Sequence, residues 1–322
     1  MKYYFAPMEG ITTHVFRAVH SRRFPGADRY YTPFFSPTSD HLFTPRELRE
    51  LTPEMRCAAP VVPQILSKCA ADIVWAAEGL QDMGYTVFNL NLGCPSGTVT
   101  AKGKGAGFLA HPDELDRFLD AVFSACTVPI SIKTRLGVHD PAEFEALLEI
   151  YSRYPVAELT IHPRVRQDFY KGRIREDAFA AALPHCPMPV CYNGDLVSER
   201  GIRETIERYP SLSALMLGRG LLGDPSLVTR VRGGERAGSA RLQAFHDTLF
   251  ARYCDAFGDS RIAVLRMKEL WFYFGNLFKN SEKLQKSIKK AKNAEEFERA
   301  AAALFCSCEV RGNAVPAWFR PA

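Results

Sequence analysis

The chain has 322 residues, 47% of them hydrophobic, with a formal net charge of +5 and a sequence pI near 8.7. That length buries a sizeable core and fits one large barrel with a small accessory domain. No run of about 18 apolar residues occurs, which argues against a membrane-spanning helix, and MKYYFAPMEG carries no signal-peptide pattern, so a cytoplasmic protein is expected.

Eight apolar, strand-like runs follow one another at 3–8, 29–35, 60–66, 86–92, 129–134, 157–162, 189–193 and 214–218. Helical patterns fall between most of them, at 70–81, 112–125, 141–151 and 198–208. This alternation predicts an α/β fold, a (β/α)8 TIM barrel. A doubly wound sheet alternates in the same way but opens on a glycine-rich first turn; here that turn is PMEG, with no GxGxxG. The stretch RGGERAGSA at 232–240 reads as a linker. It divides a barrel over 1–232 from an all-α helical bundle over 241–310.

In the second part, Asn280 or Ser281 can cap one helix, and Asn293 with Glu296 resembles a capping box for the next. Along a helix from about Ser281, the residues Leu277, Leu284, Ile288 and Ala291 form an apolar stripe. Lys279, Lys283, Lys286 and Lys290 form a basic one. With Arg266 and Lys268 close by and few acids opposing them, this region reads as a contact surface for a phosphate backbone. Nine cysteines are scattered with no CxxC pair, so neither a disulfide framework nor a zinc ribbon is supported. Cys306 and Cys308 supply two ligands, too few for a closed metal site, and no metal is expected.

Barrels of this kind react at the C-terminal ends of their strands, so the polar residues there are the candidates. In chain order they are Pro7, Met8 and Glu9; Gln64; Asn91 and Cys94; Lys133 and Arg135; His162 and Arg164; Asn193, Gly194 and Asp195; and Gly218, Arg219 and Gly220. NGD and GRG bring small residues and one cation to the place where barrels often build a phosphate site, so a phosphorylated ligand is expected. Lys133 and His162 suit a ring that gains negative charge on reduction, such as a flavin, and Gln64 and Asn91 can hydrogen-bond its edge. The run TVTAKGKGAG lacks the GK[ST] ending of a nucleotide-binding loop. It reads as a mobile lid beside Cys94, with Lys102 and Lys104 free to meet RNA phosphates.

The ordered set APMEG, the Gln of VPQIL, NLGCP, KTRLG, HPRVRQDFYKG, NGD and GRG resembles the tRNA-dihydrouridine synthase family. The matches run in family order through the whole barrel. The resemblance implies tightly bound FMN, NADPH as reductant and uridines of tRNA as substrate, with a hydride delivered to C6 and a proton to C5. Carried over by residue, it implies cofactor contacts at Pro7, Met8, Glu9, Gln64, Lys133, His162, Asn193, Gly194, Asp195, Gly218 and Arg219. It implies substrate contacts at Asn91, Arg164 and Arg166, and makes Cys94 the proton donor. Three positions depart from the family pattern: Asn89 where an acid is usual, Pro163 where a glycine is common, and Asp168 where a glutamine is usual. A cysteine of ordinary pKa, about 8.5, is mostly protonated at neutral pH and suited to act as an acid. The same rim also fits an FMN barrel acting on a free pyrimidine, like a dihydroorotate dehydrogenase, or a flavin-dependent uracil-modifying RNA methylase. The basic helical part favours RNA as the partner, bound by a monomer.

Overall fold

A proline closes this barrel. The computed structural model describes residues 1–52 and 57–312. Its strands are β1 Lys2–Phe5, β2 Arg29–Tyr31, β3 Val61–Val62, β4 Gln64–Ile65, β5 Phe88–Leu92, β6 Ile130–Arg135, β7 Glu158–His162, β8 Val190–Tyr192 and β9 Ala214–Leu217. They form one parallel sheet in the order β3-β2-β1-β9-β8-β7-β6-β5-β4. The two strands at the ends of that order are consecutive in sequence and separated only by Pro63, so the sheet closes on itself. Pro63 has no N–H to give a ladder, yet its carbonyl accepts from Asn89 N at 2.8 Å. Thr32 N bonds Val62 O and Phe35 N bonds Gln64 O across the other edge. The third predicted strand is therefore one stave, divided at its proline, and the TIM-barrel expectation holds.

Alternation sorts the side chains into two layers. Tyr3, Phe5, Phe88, Leu90, Leu92, Ile130, Ile132, Leu159, Ile161, Leu215 and Leu217 point outward into the main hydrophobic core. Their neighbours point inward, and there the apolar cluster is small: Tyr4, Ala6, Tyr31, Val62, Cys191, Ala214 and Met216. The rest of the interior is polar, with Gln64, Asn89, Asn91, Ser131, Arg135, Glu158, Thr160 and His162 all buried. Such a lumen is stable only where those groups bond one another.

The helices around the barrel are α1 His14–Arg23, α2 Pro45–Leu51, α3 Ala70–Asp82, α4 Gly97–Thr100, α5 Pro112–Ala125, α6 Glu143–Ser152, α7 Glu176–Ala182, α8 Glu199–Arg208, α9 Arg219–Gly223 and α10 Leu227–Val231. Beyond them lie α11 Ser239–Phe257, α12 Ser260–Phe274, α13 Glu282–Lys290 and α14 Ala294–Ser307. The segment read as a linker is irregular until α11 begins at Ser239, and it is tied down: Ala237 is buried and Arg236 donates to the carbonyls of Arg311 and Gly312. Phe245 of α11 is fully buried and meets Phe16 and Phe24 edge-on, at 6.0 and 5.3 Å between ring centroids. One continuous core thus runs from the barrel's outer layer into the helical part.

The basic helix is shorter than its periodicity predicts. Asn280 takes a left-handed backbone, φ 51°, which interrupts the helical run before Ser281. Leu277 lies in a separate 3-10 turn, and Lys279 precedes the helix, pairing with Glu309 at 2.9 Å. A bridge between Phe278 and Val310 adds strand-like pairing where none was expected. Lys283, Lys286 and Lys290 are exposed on α13. The Asn293 cap forms as predicted, its Oδ1 accepting from Glu296 N at 2.9 Å. Among the described residues no helix is long and apolar enough to cross a membrane, and no cluster of three metal-ligating side chains occurs. All nine cysteines are free thiols.

Phe245→Ala should destabilise the protein by about 3–5 kcal/mol, since it leaves a cavity between α1 and α11. Urea unfolding of the variant against the parent measures this; a loss below about 1 kcal/mol would show that the α1–α11 seam does not hold the two parts together.

Candidate functional site

The C-terminal ends of the strands surround a cleft of about 880 Å3, counting its open mouth. Its walls include Pro7, Met8, Glu9, Phe34, Gln64, Asn91, Cys94, Lys133, Arg135, His162, Tyr170, Asn193, Gly194, Asp195, Gly218 and Arg219. The barrel therefore brings together residues spread over more than 200 positions of sequence.

A ladder of buried amides shapes the cysteine's position. Ser131 Oγ donates to Phe88 O, and Asn89 Nδ2 donates to Ser131 Oγ at 2.9 Å. Gln64 Nε2 donates to Asn89 Oδ1 at 2.7 Å, and Asn91 Nδ2 donates to Gln64 Oε1 at 2.8 Å. Asn91 Oδ1 then accepts the backbone N–H groups of Gly93 and Cys94, at 3.1 and 2.9 Å. Each amide both donates and accepts, so a carboxylate at 89 would leave Ser131 without its donor. That accounts for Asn89 at a position where the resemblance leads one to expect an acid. Asn91, expected at the substrate, has its side chain engaged in this turn.

After Cys94 the chain does not form an open lid. It folds into α4 and a 3-10 turn, Gly105–Ala110, with Ala106 N bonded to Cys94 O at 3.0 Å. Gly105 has φ 58°, and a Cβ there would stand 2.9 Å from Cys94 O, so only glycine lets the loop double back. Phe108 and Leu109 anchor the turn in the core. Lys102 is exposed and Lys104 half-buried on its outer side.

Lys133 Nζ reaches the cleft with no hydrogen-bond partner among the described residues. Its pKa falls to about 8, through burial first and the neighbouring Arg135 charge second. Arg135 is fully buried and donates to three carbonyls: Gly93 at 2.8 Å, Val165 at 3.0 Å and Phe169 at 2.7 Å. It thereby staples the cysteine loop to the loop after β7. Period two after Lys133 puts Arg135 on the same inward face, a signal present in the sequence, but its carbonyl partners lie on other loops.

His162 is buried, and its Nε2 lies 3.1 Å from Arg164 Nη1. A guanidinium has no lone pair to offer, so Nε2 accepts and the ring proton resides on Nδ1. Burial, reinforced by Arg135, Lys133, Arg164 and Arg219, holds this imidazole well below its usual pKa and hence neutral. Arg164 does not line the cleft. It is buried, donates to Gly172 O at 2.6 Å and grips Asp195 through two bonds of 3.0 and 2.6 Å. Arg219 holds the same carboxylate at 2.7 Å and donates to Tyr170 O. Arg164, expected at the substrate, here acts as a strut between His162 and Asp195. Arg166 likewise points away, bonding Thr100 Oγ1 of α4 at 3.0 Å. Asp168, at another departing position, accepts from Val165 N and Arg175 and braces the same loop.

Around NGD and GRG the glycines answer first to packing. A Cβ on Gly220 would stand 2.0 Å from Leu196 O, and one on Gly218 would stand 3.1 Å from Met8 Sδ. Asn193 Nδ2 donates to Met216 O at 2.7 Å. The backbone N–H groups of Gly194 and Asp195 have no protein acceptor among the described residues. Glu9 lines the cleft and pairs with Arg46 at 2.8 Å. Tyr170, which in the sequence stands out only within a longer pattern, packs its ring beneath Arg135 and Arg219 at 5.4 and 5.8 Å and beside His162. The Cys94 thiol is half-buried and its pKa is pushed up by burial, against the Ser96 N–H and the charges of Arg135 and Lys133. Raised in this way, the thiol stays protonated at neutral pH.

Of the residues expected to bind RNA, Arg266 pairs with Glu269 at 3.0 Å and Lys268 Nζ donates to Ala291 O at 2.5 Å. Lys283, Lys286 and Lys290 present their charges to solvent.

A family model described as dihydrouridine synthase matches residues 4–308. A probable tRNA-dihydrouridine synthase of Rhodobacter capsulatus is 31% identical over 229 residues, covering 70% of this chain and 69% of that protein. tRNA-dihydrouridine synthase B of Pasteurella multocida is 28% identical over 225 residues, covering 70% and 67%. Among solved structures, morphinone reductase superposes with a TM-score of 0.54 at 12% identity, covering 73% of this chain and 86% of that one, a likeness of fold.

Lys133 sets a pH dependence in the ligand-free protein. Its folded pKa of about 8 lies below the free value of 10.5, so the buried charge burdens the fold fully below about pH 8. The burden lifts as pH rises from about 8 to 10.5. Lys133→Met should therefore stabilise the protein by up to about 3 kcal/mol at pH 7, and by progressively less toward pH 10. Urea midpoints of parent and variant across that range check it; a gain that grows with pH would contradict the assignment.

Proposed function

This chain belongs to the dihydrouridine synthase family, and on that footing we propose that it reduces the C5–C6 double bond of uridines in tRNA to 5,6-dihydrouridine. NADPH is the proposed electron source and flavin mononucleotide the resident cofactor. The observation that carries the reading is the pairing, on one cleft, of a protonated Cys94 with an unpartnered Lys133 and a neutral His162.

The residues present fit such a cofactor. Lys133 Nζ and the Nδ1–H of His162 are donors without protein acceptors among the described residues, and both lie where an electron-rich ring edge would be held. At the other end, Asp195 is neutralised by two guanidinium groups, Arg164 and Arg219, so its carboxylate does not repel an anion. Arg219 and the free N–H groups of Gly194 and Asp195 would hold the phosphate. Pro7, Met8, Gln64, Asn193 and Gly218 complete the wall. When bound, the flavin supplies the hydride that C6 of the uracil accepts.

The protein's own task is the proton. Adding a hydride at C6 puts an electron pair on C5, and Cys94 Sγ–H delivers the proton there. The S–H bond breaks, the C5–H bond forms, and the resulting thiolate takes a proton from water. Burial raises the thiol pKa, which keeps the acid loaded, while Lys133 and Arg135 ease the transient thiolate. The amide ladder holds the Cys94 backbone, and Arg135 ties Gly93 to the Tyr170 loop, so donor and aromatic wall keep a fixed separation. The target base must leave its stack to enter the cleft. The exposed lysines of α13 and the outer side of the Lys102–Lys104 turn offer charge for the surrounding backbone.

Cys94→Ser should retain bound flavin and its reduction by NADPH, yet form dihydrouridine at least about a hundredfold more slowly. Mass spectrometry of nucleosides from unmodified tRNA reads this as loss of the two-hydrogen gain on uridine. Turnover of free uracil with none on tRNA by the parent would overturn the substrate. Replacing Lys283, Lys286 and Lys290 by Gln should weaken tRNA binding and lower the slope of log affinity against log salt by roughly one for each phosphate no longer neutralised. An unchanged slope would remove α13 from the interface.

A further inference from the structure

Five of the eight large apolar side chains exposed among the described residues fall into two groups, the others being Met1, Leu42 and Leu48. Phe169 and Tyr170 lie on the lip of the cleft, and Ile262, Leu265 and Phe272 project from α12. The spacings of three and seven put the α12 trio on one face. That face is not the buried one, which carries Val264, Met267, Leu270, Trp271 and Phe274. Phe272 is 64% exposed and Leu265 60%, an arrangement with no benefit to folding.

Two observations say what covers this face. The first is continuity with the reacting site. Arg219 lines the cleft and lies over the Tyr170 ring, 5.8 Å from its centroid. The Tyr273 ring meets Phe272 edge-on, 5.0 Å between centroids. The helix α12 packs on α9, whose first residue is Arg219, so the helix that carries Phe272 and Tyr273 adjoins the rim of the cleft. The second is charge. Arg266 bonds the one acid on this face, Glu269, at 3.0 Å, and its guanidinium lies 3.2 Å from the point where a Cβ on Gly10 would stand, above the cleft-lining Glu9. Apolar rings interleaved with cations match the π-faces and phosphates of an unpaired polynucleotide.

We propose that the exposed face of α12 is a stacking surface for an unpaired base of the RNA that presents the target uridine, with Phe272 as its central contact. The proposal rests on the activity proposed above. One base enters the cleft, and a second, from the same folded loop, lies on Phe272 and Leu265. Sequence-tolerant stacking would hold the strand while the target base is drawn out.

The test compares Phe272→Ala and Phe272→Trp with the parent holoenzyme. Flavin content and NADPH oxidation without RNA verify that each is folded. Unmodified tRNA is titrated across a salt series, and kcat and KM for tRNA are measured. Phe272→Ala should bind roughly tenfold more weakly at every salt concentration, with the same salt slope and a raised KM, because stacking releases no counterions. Phe272→Trp should bind at least as well as the parent. Unchanged tRNA affinity in Phe272→Ala would overturn the proposal while leaving the activity standing. So would a dimer in sedimentation that Phe272→Ala dissolves without loss of tRNA affinity. A parent enzyme that neither binds nor modifies tRNA would overturn the activity and this surface with it.

Discussion

The site depends on a line of buried amides that crosses the barrel interior from Ser131 to the backbone of Cys94. A barrel lumen filled with side chains leaves little room for water, so a polar group inside is costly unless a neighbour bonds it. Asn89, Gln64 and Asn91 meet that demand for one another. The end of the line is free to do one more thing, which is to fix two N–H groups of the cysteine turn. Cys94, the proposed proton donor, is thereby positioned by the core of the barrel rather than by a flexible loop.

Around this line the charges are arranged with little compensation. Lys133 and Arg135 occupy the same inward face, and among the described residues neither bonds a carboxylate; Arg135 donates to three backbone carbonyls and lies over the Tyr170 ring. Their combined field acts with burial to keep His162 neutral and Lys133 easily deprotonated. Of the two carboxylates on the cleft wall, Asp195 is shared by two arginines and Glu9 pairs with Arg46. A cleft with surplus positive charge and donors facing inward favours an electron-rich guest, which agrees with the reducible ring proposed above.

The helical part is an extension of the same core. Phe245 enters the aromatic cluster of α1, and α12 lies against the turn that carries Arg219. The rim of the barrel and the outer face of α12 therefore form one surface. Under the proposed function a polynucleotide reaching the cleft would meet both, and contacts remote from the reacting base would contribute to holding it.

Much of this was legible in the sequence. Period-two alternation and the helices between the runs determined the barrel. The C-terminal ends of those runs named nearly every residue on the wall of the cleft, because strand order in a barrel follows chain order. The surplus of lysines near the C-terminus was visible as composition. What the sequence did not determine was which polar groups satisfy each other. Arg164 reads as a rim cation, but Asp195, 31 positions on, takes it inward. Arg166 turns to Thr100, 66 positions back, and the glycine-lysine stretch folds down because Phe108 finds the core. The α13 helix loses Lys279 to a left-handed Asn280 and to Glu309. Periodicity encodes the direction in which a side chain points from its own backbone. Its partner is decided by distances between strands and loops that only the closed barrel brings within reach.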